Sequence, residues 1–295
     1  MGSFILSCCS TADLSKEYFA SRNIPVVFFH FQLAGKDYLD DMGESVPPEE
    51  LFKRMDEGAE TKTSQVTIEE YTSFWEPFLK EGKDILHVCL SSGISGTFNS
   101  ASVARIDLSS RYPDRKIYVV DSFAASSGFG LLMDTLADKR DEGMDVDALY
   151  EWAQANKGKL QHWFFSTDLT YYIRGGRVSK TAGFFGQILN ICPLLNVNNA
   201  GLLIPREKIR GKKKVIQRTL EKMIENAQDG KDYSGKCFIS HSMCIEDAKE
   251  LAGMIEETFP KLNGKVQIFP IGATIGSHTG PGTVALFFWG DERGE

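Results

Sequence analysis

Leu90-Ser91-Ser92-Gly93-Ile94-Ser95-Gly96-Thr97-Phe98-Asn99-Ser100-Ala101 is the stretch that decides how the rest of the chain is read. The apolar run before it, Ile85 to Leu90, has the length and composition of a buried strand. Thr97 onward has the pattern of a helix start. A strand, a Ser/Gly turn and a helix in that order leave free backbone N–H groups at the positive end of a helix dipole. Such a place attracts anions. The glycines let a ligand approach the backbone, and four hydroxyls (Ser91, Ser92, Ser95 and Thr97) lie within seven residues. A plainly capped helix in an α/β protein would have the same pattern.

Outward from this turn the chain alternates strand and helix. Phe4 to Cys8 and Ile24 to Phe31 read as strands, with a helix over 14–22 capped by Ser10 or Thr11. Gly35-Lys36-Asp37 reads as a hairpin turn. Pro47-Pro48 opens a helix. Lys62 to Val66 is a short polar segment, and Thr67 with Glu70 has capping-box spacing for a helix running toward Lys80. Lys116 to Ser122 is a further strand, with helices from Ser126 to Lys139 and from Val146 to Gln154. This alternation predicts a Rossmann-like parallel sheet with helices on both faces, occupying residues 1–160.

The composition changes near Leu160, and residues 161–295 read as a second, mixed α/β sandwich. His162 to Ser166 opens it as a strand. A helix containing Phe184, Phe185, Ile188 and Leu189 is expected to end before Pro193. Leu194 to Val197 and Leu202 to Ile204 form a hairpin around Asn198-Asn199-Ala200-Gly201. Strands at 236–240, 266–269 and 283–289 and helices at 215–226 and 245–257 complete it. Gly272 to Gly282 is read as a glycine-rich loop carrying His278.

The totals narrow the function. The chain has 295 residues, 42% hydrophobic and 25% charged, an ordinary globular composition with room for two domains. No apolar run approaches the ~18 residues of a membrane span, so no stable membrane insertion is expected. The apolar N-terminal stretch reads as the first strand rather than a signal peptide. A net charge of −7 argues against nucleic acid as the main partner. The six cysteines include no C-x-x-C pair, so no metal site is expected; reduced core thiols fit a cytoplasmic protein.

Several segments together, in order, resemble the DegV family of fatty-acid-binding proteins that serve bacterial fatty-acid kinase. They are Ser10-Thr11-Ala12-Asp13-Leu14, Thr63-Ser64-Gln65, Leu90 to Thr97, Arg174-Gly175-Gly176-Arg177-Val178-Ser179 and His278-Thr279-Gly280-Pro281-Gly282. The resemblance covers nearly the whole chain. Two departures stand out: Cys9 where the family often has aspartate, and Val66 where proline usually follows Thr-Ser-Gln.

The resemblance implies two α/β domains holding one long-chain fatty acid in a tunnel, with no cofactor. The carboxylate would be held by Thr63 and Ser95, with His278 and Thr279 beside it and Ser92 and Gly96 completing the turn. Phe184, Phe185, Ile188 and Leu189 would line the tail; spacing alone gives them as core. A separate fatty-acid kinase catalytic subunit would phosphorylate the carboxylate. Arg174 and Arg177, with Arg206 and Arg210 from the basic run, would be its docking face, although such runs are commonly solvated surface.

The residue chemistry agrees with this. Hydroxyls, N–H groups and one imidazole hold a carboxylate by charge-assisted hydrogen bonds, roughly twice as strong as neutral ones. About 15 tail carbons at ~0.8 kcal/mol each give roughly 12 kcal/mol before ordering costs. His241, between a strand and a helix, has both a structural and a functional reading. The alternative is an enzyme, a phosphotransferase or hydrolase using the Ser/Gly turn as a phosphate cradle. Against it, the chain has no G-x-x-x-x-G-K-[ST], no G-x-G-x-x-G after a strand, and Gly93-Ile94-Ser95-Gly96-Thr97 in place of a G-x-S-x-G elbow.

Overall fold

The computed structural model describes residues 4–179 and 190–295. The elements in chain order are β1 (Phe4–Cys9), α1 (Lys16–Ser21), β2 (Val26–Val27), β3 (His30–Leu33), β4 (Lys36–Leu39), α2 (Pro48–Asp56), β5 (Thr61–Ser64) and α3 (Ile68–Lys80). Then come β6 (Asp84–Cys89), α4 (Thr97–Arg111), β7 (Ile117–Asp121), α5 (Ser126–Asp141), α6 (Val146–Asn156), β8 (Leu160–Ser166) and α7 (Thr170–Arg174). The rest are β9 (Ile191–Val197), β10 (Leu203–Arg210), α8 (Lys212–Asn226), β11 (Phe238–His241), α9 (Ile245–Thr258), β12 (Gln267–Pro270), α10 (Ala273–Thr279) and β13 (Thr283–Trp289).

These strands make three sheets. The first is parallel, in the order β2-β1-β6-β7. The second is mixed and six-stranded, β10-β9-β8-β13-β11-β12. The third, β4-β3-β5, is antiparallel. Helices α3 and α4 cover one face of the first sheet, and α5 and α6 the other. Helix α5 also touches β8, β11 and β13, so it lies between the two large sheets and is buried along most of its length. Helices α8 and α9 close the far side of the second sheet over a separate apolar core. The fold is α/β, with a parallel sheet and a distinct mixed sheet as expected.

Local chemistry explains several elements. Thr67 and Glu70 form the reciprocal capping box that opens α3. Asp145 caps α6 through the Ala148 N–H. Ala34 and Gly35 both take positive φ, the two-residue turn that suits the β3–β4 hairpin.

The structure departs from the sequence reading in five places. Helix α1 begins later, capped by Ser15, because Ser10–Ala12 form a 3₁₀ turn that ends with Asp13 in the left-handed region. The run Ile24 to Phe31 is not one strand: Val26–Val27 pairs with β1, then the chain leaves for the small sheet at His30. The polar segment around Thr63 is itself a strand, β5, paired with β3. Pro193 lies inside β9, at the position just past its last pairing with β8, where a missing N–H costs nothing. Finally, His278 sits on the last turn of a helix, α10, rather than in a loop. That helix is short and contains Gly276, but the Asp40 carboxylate accepts from the Ala273 and Thr274 N–H groups at its start. The cap comes from 233 residues away in sequence, which no local pattern reveals.

Candidate functional site

The Ser/Gly turn follows β6 as expected, and its hydroxyls divide into structural and exposed roles. Ser91 is buried; its Oγ donates to the Gly201 carbonyl at 2.8 Å and accepts from the Gly93 N–H. The Ser95 Oγ accepts from the Thr97 N–H at 3.2 Å, at the first turn of α4. A Cβ on Gly96 would lie 2.6 Å from Gln65 Oε1, so the glycine lets the Gln65 amide close over the turn. Gln65 in turn donates to Ser100 Oγ at 2.8 Å, tying the β5 segment to α4.

Ser95 and Gly96 line a cavity, together with Thr63, Gln65, His278 and Thr279. It spans about 940 Å³ of space between atoms, its open mouth included. Its walls are mostly apolar, with Phe29, Phe164, Val197, Leu203, Ile275 and Phe287 among them. It lies outside the C-terminal ends of the parallel strands, the usual ligand position in open α/β sheets, and the second sheet forms the opposite wall.

The polar end is built around His278. Thr63 Oγ1 is 2.7 Å from His278 Nε2, and an Arg177 Nη1 is 3.4 Å from Nδ1. A guanidinium only donates, so Nδ1 is the acceptor and Nε2 carries the proton. The Nε2–H group then donates to Thr63 Oγ1, and the Thr63 hydroxyl proton is left free to point at a ligand. Burial, helped by the nearby Arg177 charge, pushes the His278 pKa down to about 4, so the ring is neutral near pH 7. Gly175 allows this closeness, since a Cβ there would come within 2.4 Å of Nδ1.

The other expected residues fall differently. Ser92 is exposed and outside the cavity lining; its N–H bonds Asp121 at 3.1 Å. Arg177, expected on an exposed face, is turned inward: it lines the cavity and donates to the carbonyls of Ile94 and Gly175. The reason is that Gly175 and Gly176 curl the chain after α7 back toward the Ser/Gly turn. Arg174, Arg206 and Arg210 are exposed; Arg174 lies over the Tyr171 ring, and Arg206 bonds Asn196. His241 is partly buried with its Nδ1 unpartnered. Phe184, Phe185, Ile188 and Leu189 lie outside the described residues.

Sequence reasoning passed over five polar cavity residues: Tyr172, Ser126, Thr274, Thr283 and His162. It also gave no metal site, yet Cys9, His87 and Cys89 lie with their donor atoms within 4.8 Å of one another. They come from adjacent strands 78 to 80 residues apart, so no spacing motif marks them. His87 bonds Ser7 at 2.9 Å and lies 3.6 Å from Cys9 Sγ, and Tyr71 OH bridges Cys9 and Thr97. These groups are all fully buried beneath α3 and satisfy one another.

The site is thus an α/β crevice with a mostly apolar bore and a polar end lined by Thr63, Ser95, His278 and the Arg177 guanidinium. The model of the family described as uncharacterised protein, DegV family, matches residues 9–291, and the chain belongs to that family. A DegV domain-containing protein of Clostridium perfringens is 38% identical over 296 residues, covering 99% of each chain. A DegV family protein from Thermus thermophilus, described for its fatty acid binding, superposes with a TM-score of 0.87 at 26% identity, over 99% of this chain and 100% of that one. The fold is shared as well by the Streptococcus pneumoniae fatty acid kinase B3 protein, which was loaded with linoleic acid: TM-score 0.83, 23% identity, 98% of this chain and 100% of that one. No helix among the described residues is long and apolar enough to cross a membrane.

Proposed function

We propose that this protein binds one long-chain fatty acid and presents it to a separate kinase subunit that phosphorylates the carboxylate. The observation that carries the reading is the Thr63–His278 hydrogen bond at the polar end of an apolar cavity. Its proton order leaves a hydroxyl donor facing the cavity, beside Ser95. Thr63, Ser95 and the backbone near Gly96 hold the carboxylate, His278 orients Thr63, and Thr279 stands next to them. The Thermus thermophilus relative, described as fatty-acid-binding, supports the ligand class.

The protein supplies no nucleotide chemistry in this reading. It fixes the head through hydroxyl and backbone donors, with the cavity-lining Arg177 guanidinium engaged by the Ile94 and Gly175 carbonyls, so one carboxylate oxygen stays nucleophilic, and it shields the acyl phosphate from water. Residues 1–160 supply Thr63 and Ser95, and residues 161–295 supply His278 and one wall, so the two parts meet at the ligand. Exposed Arg174, Arg206 and Arg210 form the surface offered to the kinase, in the cytoplasm.

Mass spectrometry of lipid extracted from denatured recombinant protein tests the first half. One acyl chain per protein is expected; no chain after purification and no uptake of added fatty acid would overturn it. Acyl-phosphate formation on adding a fatty-acid kinase catalytic subunit and ATP tests the second half, with charge-reversed Arg206 and Arg210 expected to slow it.

A further inference from the structure

The polar end of the cavity holds a side chain whose hydrogen-bonding capacity is only half used. Gln65 lies two residues beyond Thr63, and both line the cavity with Ser95 and Gly96. Its Nε2 donates to Ser100 Oγ at 2.8 Å. Ser100 is buried on α4 and outside the cavity lining, so this bond ties one end of the amide down away from a ligand. The other end lies against Gly96, where a Cβ would meet Oε1 at 2.6 Å. Gly96 is exposed and Gln65 half-buried, so this end of the amide borders the cavity rather than packed wall. Among the described residues no donor reaches Oε1, and no acceptor receives the Ser100 hydroxyl proton.

An amide and a hydroxyl can pair in two ways, because the hydroxyl both donates and accepts while the amide accepts at one corner and donates at the other. With Nε2 on Ser100, a carbonyl oxygen faces the head of the ligand. A carboxylate has only acceptors, so the two would repel. Turned over about its last side-chain bond, the amide keeps a bond to Ser100, now from the hydroxyl to Oε1, and gives the Ser100 proton the acceptor it lacks. Nε2 then takes the place of Oε1 beside Gly96, the residue after Ser95, with its N–H groups free to donate. The exchange loses no hydrogen bond and reverses the polarity presented to the ligand.

Resting on the fatty-acid reading above, we propose that Gln65 is a third side-chain donor to the bound carboxylate, beside Thr63 and Ser95, and that binding turns its amide over. Ser100 is the positioning residue: it holds the amide in both orientations by exchanging the roles of acceptor and donor. A neutral head carrying an O–H group leaves Oε1 inward and donates to it, whereas an anionic head selects Nε2. The amide thus reads the charge of the head group.

The test uses delipidated full-length protein, isotope-labelled at its glutamine side-chain nitrogens for NMR, with hexadecanoic acid and hexadecanol as ligands. The Gln65 signals are those missing from the spectrum of Gln65→Glu; should that variant fail to fold, Gln65→Met supplies the assignment. Hexadecanoic acid should move the Gln65 Nε2–H signals downfield, and hexadecanol should not. Competitive displacement should show the preference for the acid over the alcohol falling about tenfold or more in Gln65→Glu, whose carboxylate still accepts from Ser100 but has no proton to donate. Unmoved Gln65 signals on protein that takes up hexadecanoic acid, or an unchanged preference in Gln65→Glu, overturn this inference and leave the fatty-acid reading standing. Failure of the wild-type protein to bind hexadecanoic acid overturns both.

Discussion

Two histidines in this molecule sit in nearly the same chemical company and do different work. His87 lies in the first core with Ser7 on one nitrogen and Cys9 near the other. His278 lies at the cavity with Thr63 on one nitrogen and Arg177 near the other. Around His87, Tyr71, Trp75 and Phe74 pack their rings against the imidazole, and the hydrogen bonds among Ser7, His87, Cys9, Tyr71 and Thr97 close within the protein, although the buried Trp75 Nε1 has no partner. At His278 the chain of donors does not close: Arg177 donates to the ring, the ring donates to Thr63, and the Thr63 proton has nowhere to go but the cavity. A closed network specifies packing, whereas one with a spare donor beside an open volume specifies a ligand.

This contrast can be broken in four ways. The largest effect is expected from removing both hydroxyls of the open site. Thr63→Ala with Ser95→Ala should weaken fatty-acid affinity 100-fold or more, two charge-assisted bonds at roughly 1.5–3 kcal/mol each, while stability falls only by the loss of the partners of the Thr97 N–H and His278 Nε2–H, roughly 1–3 kcal/mol. Isothermal titration with a fatty acid reads the first and thermal unfolding the second; an unchanged affinity would dissolve the distinction between the histidines.

Next comes the pH dependence of the open site. The folded protein keeps His278 neutral down to about pH 4, while the unfolded chain takes up the proton near 6.5. The unfolded state therefore binds more protons between those values. His278 contributes a loss of stability as pH falls from about 6.5 to about 4, roughly 3 kcal/mol in full. Urea unfolding across that range, subtracted from the same series on His278→Gln, should show it.

A smaller effect is expected in the closed network. Tyr71→Phe strands Thr97 and Cys9 without their buried partner and should destabilise by about 1–3 kcal/mol, yet leave ligand affinity within a few fold. Denaturant midpoints paired with binding curves separate the two. Least of all, Ser92→Ala should alter neither quantity beyond measurement, because that hydroxyl is exposed and outside the cavity lining.

How far the sequence could be read depended on whether a feature was written locally. The Thr67 capping box, the turn after β6 and the β9–β10 hairpin are each signalled by residues within one element or its neighbours, and they stand as read. The break at Phe28-Phe29 was hidden because an apolar run has the same pattern whether its strand stays in one sheet or crosses to another. Helix α10 was hidden because its cap is Asp40. Arg177 looked like surface because nothing in Arg-Gly-Gly-Arg tells which arginine the glycines fold inward. His162 was hidden most thoroughly, as one of three polar residues, with Gln161 and Ser166, in a strand that is buried throughout.

The place of β13 has a bearing on how the molecule is made. It runs between β8 and β11, pairing with both, and it is the last strand in chain order. A ribosome that has not yet passed residue 289 therefore holds one half-sheet of β8, β9 and β10 and another of β11 and β12, with nothing to zip them together. The parallel sheet, complete by Asp121, can collapse long before that. The nascent chain must carry the bare aromatic edge of β8 through more than a hundred further residues of synthesis, roughly 5–20 s at ~5–20 residues per second, an interval in which a holding chaperone would find its natural substrate.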